Sequence, residues 1–179
     1  MKKVLICFLA WGFLISVGSG SAGAGSPQEA RKTCDLSKTS ICTIEMWLAF
    51  KQKPHKKEIW NFLKSKSIKV LPHTVQFWRP KGGHPPTNIA IGHGLSAEDA
   101  RMVIELAEKY NDRVEMLVLQ SLNPANYAAI ATSAWDEKSQ IPITQEELEK
   151  LKDPSLSTQE FHTLYRQLTD EENLPERFY

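Results

Sequence analysis

The chain has 179 residues, 41% of them hydrophobic, with 22 Lys or Arg against 21 Asp or Glu and a formal charge of +1. That length and apolar content suit one folded domain with a sizeable core and exclude a low-complexity chain. The near-neutral balance lacks the overall basicity that a nucleic-acid partner asks for, and no such partner is expected.

The first residues address the compartment. Met1-Lys2-Lys3 is basic, Val4 to Val17 is apolar apart from Gly12 and Ser16, and Gly18 to Ser26 is a small-residue stretch containing Ala22-Gly23-Ala24. This is the order of a secretory signal peptide, with cleavage expected after Ala24. The apolar run falls short of the roughly 20 residues of a spanning helix, and no later run is longer, so no transmembrane segment is expected once the signal is removed. The expected divisions are 1–24 as a cleaved signal, 25–42 as a flexible lead-in with a disulfide loop, and 43–179 as a single α+β domain. The mature chain would be periplasmic or secreted. Loss of Lys2 and Lys3 takes its formal charge from +1 to −1. Cys34 and Cys42 then remain, in "CDLSKTSIC", and are read as a disulfide because exported chains oxidise. Their spacing matches neither C-x-x-C nor a usual zinc pattern.

In chain order, Thr43 can cap a helix with Ile44, Trp47 and Leu48 on one face, ending near Pro54. A second helix carries Ile59, Trp60, Phe62 and Leu63. "KVLPHTVQFWRP" sets Val75 and Phe77 against Gln76 and Trp78, a strand signal with Pro72 at its start. "PKGGHPPT" is a loop and "NIAI" the next strand. Ser96 to Tyr110 reads as a helix with Val103, Leu106, Ala107 and Tyr110 as its apolar stripe. "VEMLVLQ" is a largely buried strand, "SLNPAN" a turn and "YAAIATSAW" a fourth strand. Thr144 with Glu147 and Ser157 with Glu160 match the capping-box spacing of two short closing helices. The expected fold is α+β: a four-stranded mixed sheet with a β-β-α-β-β core, two N-terminal helices and two short C-terminal helices.

Gly92-His93-Gly94-Leu95-Ser96-Ala97 fits G-x-G-x-x-A, the turn that cradles a dinucleotide pyrophosphate. That function also needs an acid at the end of the following strand, which here ends in Leu119-Gln120. Glu98 and Asp99 in the first helical turn would repel a pyrophosphate. No cofactor is therefore expected, and the glycines with Ser96 read as a tight turn and a helix cap. His93 is left over. If the first two strands form a hairpin, His73 becomes its neighbour, with Asp99 or Glu98 close by, and such a group could bind a metal or exchange protons. His84 would sit at the opposite end of that hairpin. His73, His84 and His93 are the candidate metal ligands, and His93 with His73 and Asp99 the candidate catalytic set. No H-E-x-x-H or G-x-S-x-G accompanies them.

Leu95-Ser96-x-x-Asp99-Ala100-x-x-Val103 is similar to the L-S-x-x-R-A-x-x-V segment of OmpA-like peptidoglycan-binding domains. The resemblance covers nine residues and has Asp99 where that family places its ligand-binding arginine. "KGGHPPTN" stands in place of that family's upstream aspartate loop. What the resemblance implies is a shared way of starting a helix.

Charge is unevenly spread. Glu45 to Lys81 holds nine Lys or Arg against two Glu, whereas Asp136 to Tyr179 holds eleven acids against five bases. The first stretch reads as a basic face for phospholipid head groups or a cell-wall polymer, or else the two stretches lie near each other or are simply solvated. Trp47, Trp60, Trp78 and Trp135 read as core or half-core residues. Trp60, with Lys56 and Lys57 beside it, is the one expected to meet a partner. The expected function is an exported, non-catalytic envelope module that binds a protein or a cell-surface polymer. The alternative is a small metal-dependent or acid-base enzyme centred on His93.

Overall fold

The structure, a computed structural model, describes residues 34–78, 87–111, 113–130 and 139–169. The expected signal peptide, most of the lead-in, the loop with His84, Trp135 and the C-terminal tail lie outside the described residues.

Alternation at period two decides the first element. In β1 (Thr43–Ala49) the side chains of Ile44, Met46 and Leu48 are buried, while Glu45 and Trp47 point to the other face. This segment was expected to be helical, because Ile44, Trp47 and Leu48 also fit a 3.6-residue period. The strand wins because β1 has a partner on each side, β2 (Val75–Trp78) and β5 (Tyr127–Ile130), which together satisfy its backbone groups. A 3₁₀ turn over Phe50–His55 leads into α1 (Lys56–Ser65), which buries Ile59 and Leu63. Next come β3 (Asn88–Ile91), α2 (Ala97–Tyr110) and β4 (Met116–Val118). After β5, the chain adds β6 (Gln140–Pro142), α3 (Gln145–Leu151) and α4 (Thr158–Leu168).

Among the described residues the sheet therefore has six strands in the order β2-β1-β5-β3-β4-β6 and is accompanied by four helices. This corrects the expected four-stranded sheet with two N-terminal helices; the α+β class stands. β6 is three residues long and includes Pro142, too short a run for periodicity to mark. β1 runs parallel to β2 and to β5, β3 runs parallel to β4, and β3 lies antiparallel to β5. The result is two β-α-β units of opposite direction with β5 inserted between them. β2 and β3, which a hairpin would have paired, are separated by β1 and β5.

One face of the sheet forms the core. Ile44, Met46, Leu48, Val75, Ile89, Ile91, Leu117 and Ile130 meet Ile59 and Leu63 of α1, Val103 and Ala107 of α2, and Phe161 and Tyr165 of α4. The Phe161 and Tyr165 rings are stacked with centroids 6.3 Å apart, and the Tyr165 hydroxyl donates to the Val118 carbonyl at 2.8 Å. Such a buried side chain stabilises the fold by about 1.5–3 kcal/mol through apolar burial. The opposite face carries a small cluster of Ala90, Val118 and Ala129 with Tyr127, to which no described helix contributes. There Tyr127 is hydrogen-bonded to Glu45, and burial, followed by the Glu45 charge, pushes its phenol upward. Both capping boxes form as expected, Thr144 with Glu147 and Ser157 with Glu160.

Cys34 and Cys42 are disulfide-bonded, with Cα atoms 5.2 Å apart. Closing so short a loop contributes about 2.5 kcal/mol in the chain-entropy account. The loop is also latched to α2. The Asp99 carboxylate accepts from the Ser40 N–H at 2.6 Å and from the Thr39 hydroxyl at 3.1 Å. Ser40 Oγ in turn accepts the Ser96 N–H at 2.7 Å. Ser96 caps α2 by accepting from the Asp99 N–H at 3.1 Å. Asp99 thus completes only half of a capping box, and its carboxylate serves the disulfide loop.

Candidate functional site

The β-to-α turn at Gly92-His93-Gly94 is drawn against the β4–β5 connection. The Gly92 N–H donates to the Tyr127 carbonyl at 2.9 Å, and the Gly94 N–H to the Ala125 carbonyl at 2.7 Å. Beside this turn, at the carboxyl ends of the parallel strands β3 and β4, a cleft of about 630 Å³ opens toward α4. Its walls are His93 from the turn, Leu119, Gln120 and Ser121 from the segment after β4, and His162, Arg166 and Thr169 from α4 and its end. Sheets with parallel strands and covering helices commonly leave their binding crevice at this end.

His162 is 8% exposed and both of its ring nitrogens are engaged. Nε2 lies 2.7 Å from the Leu95 carbonyl, which can only accept, so Nε2 carries the hydrogen. Nδ1, 2.7 Å from the Gln120 amide nitrogen, is then the acceptor. The ring joins α4 to the turn and to the β4 exit, and it has no lone pair left for chemistry. Arg166, one turn further along α4, donates from Nε to the His162 carbonyl at 3.2 Å. Neither His162 nor Gln120 stands out in the sequence. The one available signal is a histidine set between Phe161 and Leu164 on the apolar side of a predicted helix.

The histidines singled out by sequence are distributed over separate places. His93 is exposed and lines the cleft. His73 lines a different groove of about 520 Å³ with Phe50, Lys53, Lys56, Pro72 and Phe77. β2 and β3 are three strand positions apart, roughly 14 Å at ordinary sheet spacing. Asp99 belongs to the disulfide latch, and His84 lies outside the described residues. Among the described residues no three His, Cys, Asp or Glu side chains form a group able to hold a metal ion. Among the described residues the cleft lining contains no carboxylate that could orient a general base.

A second surface follows the β2 edge. Lys56 Nζ sits 4.9 Å from the Trp60 ring centroid and 5.9 Å from that of Phe77. Lys64 Nζ is also 5.9 Å from the Trp60 ring centroid, and Lys53 lies 5.2 Å from the ring of Phe50, which is 37% exposed. Trp60 is half-buried against the core, and its indole N–H is buried with no acceptor among the described residues. The rings form a platform that carries ammonium groups, an attraction of about 0.5–1 kcal/mol at an exposed site. Lys57 is exposed alongside. The ion pairs of the described residues include none of Lys53, Lys56, Lys57 and Lys64.

Glu58, the one acid of α1, faces the opposite flank. It accepts from Lys109 at 2.8 Å and from the Tyr110 hydroxyl at 3.0 Å, and it pairs with His55 at 3.1 Å. The Lys109 hydrogen bond first, then those of His55 and Tyr110, hold its carboxyl at about 2 instead of the ordinary 4.5. A lowered carboxyl favours the folded state above its ordinary value and loses that contribution as pH falls through the lowered one. Wild type is therefore expected to resist urea better than Glu58→Gln at pH 6, by a small margin because the pair is solvent-exposed. The margin should close between pH 4.5 and pH 2. A pH-independent gap would mean that the carboxylate charge is not what docks α1 on α2.

The fold and the two surfaces define a small α+β protein built on a six-stranded mixed sheet. No protein family matches the chain, and neither a curated protein nor a solved structure does. No helix among the described residues is long and apolar enough to cross a membrane.

Proposed function

We propose that the protein is an exported, non-catalytic envelope module that holds an anionic cell-surface polymer along its β2 edge. The observation that carries this reading is the row of lysines without carboxylate partners among the described residues, in which Lys53, Lys56 and Lys64 lean on Phe50, Trp60 and Phe77 and Lys57 is exposed beside them. Charge placement across the sheet supports it. α3, with Glu146, Glu147 and Glu149, follows β6 at the other edge, five strand spacings or roughly 24 Å away. The basic stretch therefore does not spend itself on the acidic one, and a polyanion would be met by one side of the domain. The Cys34–Cys42 bond is compatible with an oxidising compartment.

The test is fluorescence anisotropy with labelled inorganic polyphosphate at 50 and 300 mM salt. The charge-reversing pair Lys53→Glu with Lys57→Glu is expected to weaken binding at least tenfold and to flatten its salt dependence. Lys38→Glu with Lys150→Glu makes the same change in net charge at exposed sites elsewhere and should alter affinity less than twofold. Equal losses in the two double variants, or no binding by wild type at 50 mM salt, would sink the proposal.

A further inference from the structure

We propose that the cleft between the Gly92–Gly94 turn, the segment after β4 and α4 is a second binding site, and that its ligand is the carboxylate of a small organic molecule. Among the described residues the lining contains one formal charge, Arg166, and no acid. Arg166 makes no ion pair among the described residues, and its Nε is already committed to the His162 carbonyl. Anchoring that inner nitrogen turns the two Nη groups outward as the edge of a planar fork, with no partner among the described residues. A planar fork matches a carboxylate with two parallel hydrogen bonds, and the match is poorer for a point-like anion. His93 on the turn and the exposed Ser121 hydroxyl add two further groups able to donate.

The floor beneath them is built and rigid. Gln120 and His162 are 6% and 8% exposed and bonded to each other, and His162 is held again by the Leu95 carbonyl. The outer groups therefore stand on a fixed base, which lowers the cost of ordering them around a ligand. Leu119 offers an apolar surface for the remainder of the molecule. The volume, about 630 Å³, lies in the usual range of small-molecule sites. A single fixed positive charge balances a carboxylate and leaves a phosphate dianion half neutralised. The site is separate from the lysine edge, because β1 and β5 stand between β2 and β3.

The experiment is an amide chemical-shift titration of the ¹⁵N-labelled, oxidised full chain with sodium N-acetylglycinate. Sodium phosphate and sodium chloride at equal ionic strength are the comparison arms. Saturating shifts are expected at His93, Leu119 to Ser121 and His162 to Thr169, with phosphate at least fivefold weaker and chloride without saturation. Arg166→Gln should weaken N-acetylglycinate binding at least tenfold, with Arg166→Lys in between. Arg166 is exposed, so an unchanged melting temperature separates this effect from unfolding. Lys53→Glu with Lys57→Glu should leave the titration unchanged, so the two sites stand or fall independently. Absent shifts, shifts centred on α1, or equal response to chloride would overturn the assignment. Tighter binding of phosphate than of N-acetylglycinate would overturn the carboxylate preference.

Discussion

Gly92→Ala is expected to destabilise the protein by about 3 kcal/mol, the upper part of the range for overpacking a closed site. A Cβ at this position would run into the carbonyl oxygens of Pro124 and Ala125 and would stand 2.8 Å from the Ala125 carbonyl carbon. These are backbone atoms of the β4–β5 connection, so no flexible side chain can swing aside. Relief requires the turn to lift, which breaks the bonds from Gly92 to Tyr127 and from Gly94 to Ala125 and carries His93 away from the cleft wall. Gly94→Ala should be milder, since its Cβ stands further off, 2.9 Å from the Ala125 carbonyl oxygen and 3.1 Å from the Asn126 amide. Urea unfolding of the two variants checks the order. A Gly92→Ala protein as stable as its parent would mean that the turn does not rest on that connection.

His162→Leu is expected to cost a similar amount, about 3 kcal/mol, for a different reason. Leucine fills much of the space but leaves the Leu95 carbonyl and the Gln120 amide without partners in a buried place. Each stranded group costs about 1–3 kcal/mol. The coupling gives a sharper readout than the single variant. Gln120→Leu added to His162→Leu should recover part of the loss, because the second change removes one of the stranded groups. Strict additivity in thermal or urea unfolding would show that the two side chains do not bond. The same variants bear on the cleft, since α4 is tied to the turn through this ring.

The elements that could be read from the chain are those whose decisive bonds are local. The capping boxes of α3 and α4 each close within four residues, and both are found where Thr144 and Ser157 place them. α2 is as legible, with Ser96 at its cap and Val103, Ala107 and Tyr110 on the buried stripe. β1 was not legible. Ile44, Met46 and Leu48 fit a strand, while Ile44, Trp47 and Leu48 fit a helix, and the two neighbouring strands that decide the matter lie about 30 and about 80 residues further on. The tryptophan signal was mixed in the same way. Trp60 was marked by the lysines around it, yet its packing onto the core depends on elements far along the chain.

The candidate site divides along the same line. His93 could be picked out, since a strand, two glycines and a helix cap surround a residue that none of them requires. Its neighbours could not. Gln120 and His162 are 42 positions apart, and the oxygen that fixes the histidine tautomer belongs to a backbone carbonyl, which carries no residue-type signal. Whether His73 could stand beside His93 turned on strand order. By itself, then, the sequence determined the caps of α2, α3 and α4 with the apolar stripe of α2, the Cys34–Cys42 pairing and the clustering of lysines around Trp60. These depend on residue type and on spacings of a few positions. Tertiary structure alone decided that two β-α-β units meet across β5, that Asp99 serves the disulfide loop, and that a cleft whose arginine has no ion pair among the described residues opens beside His93. Each of those follows from contacts tens of residues apart, formed only because the burial of one sheet face selects a single strand order.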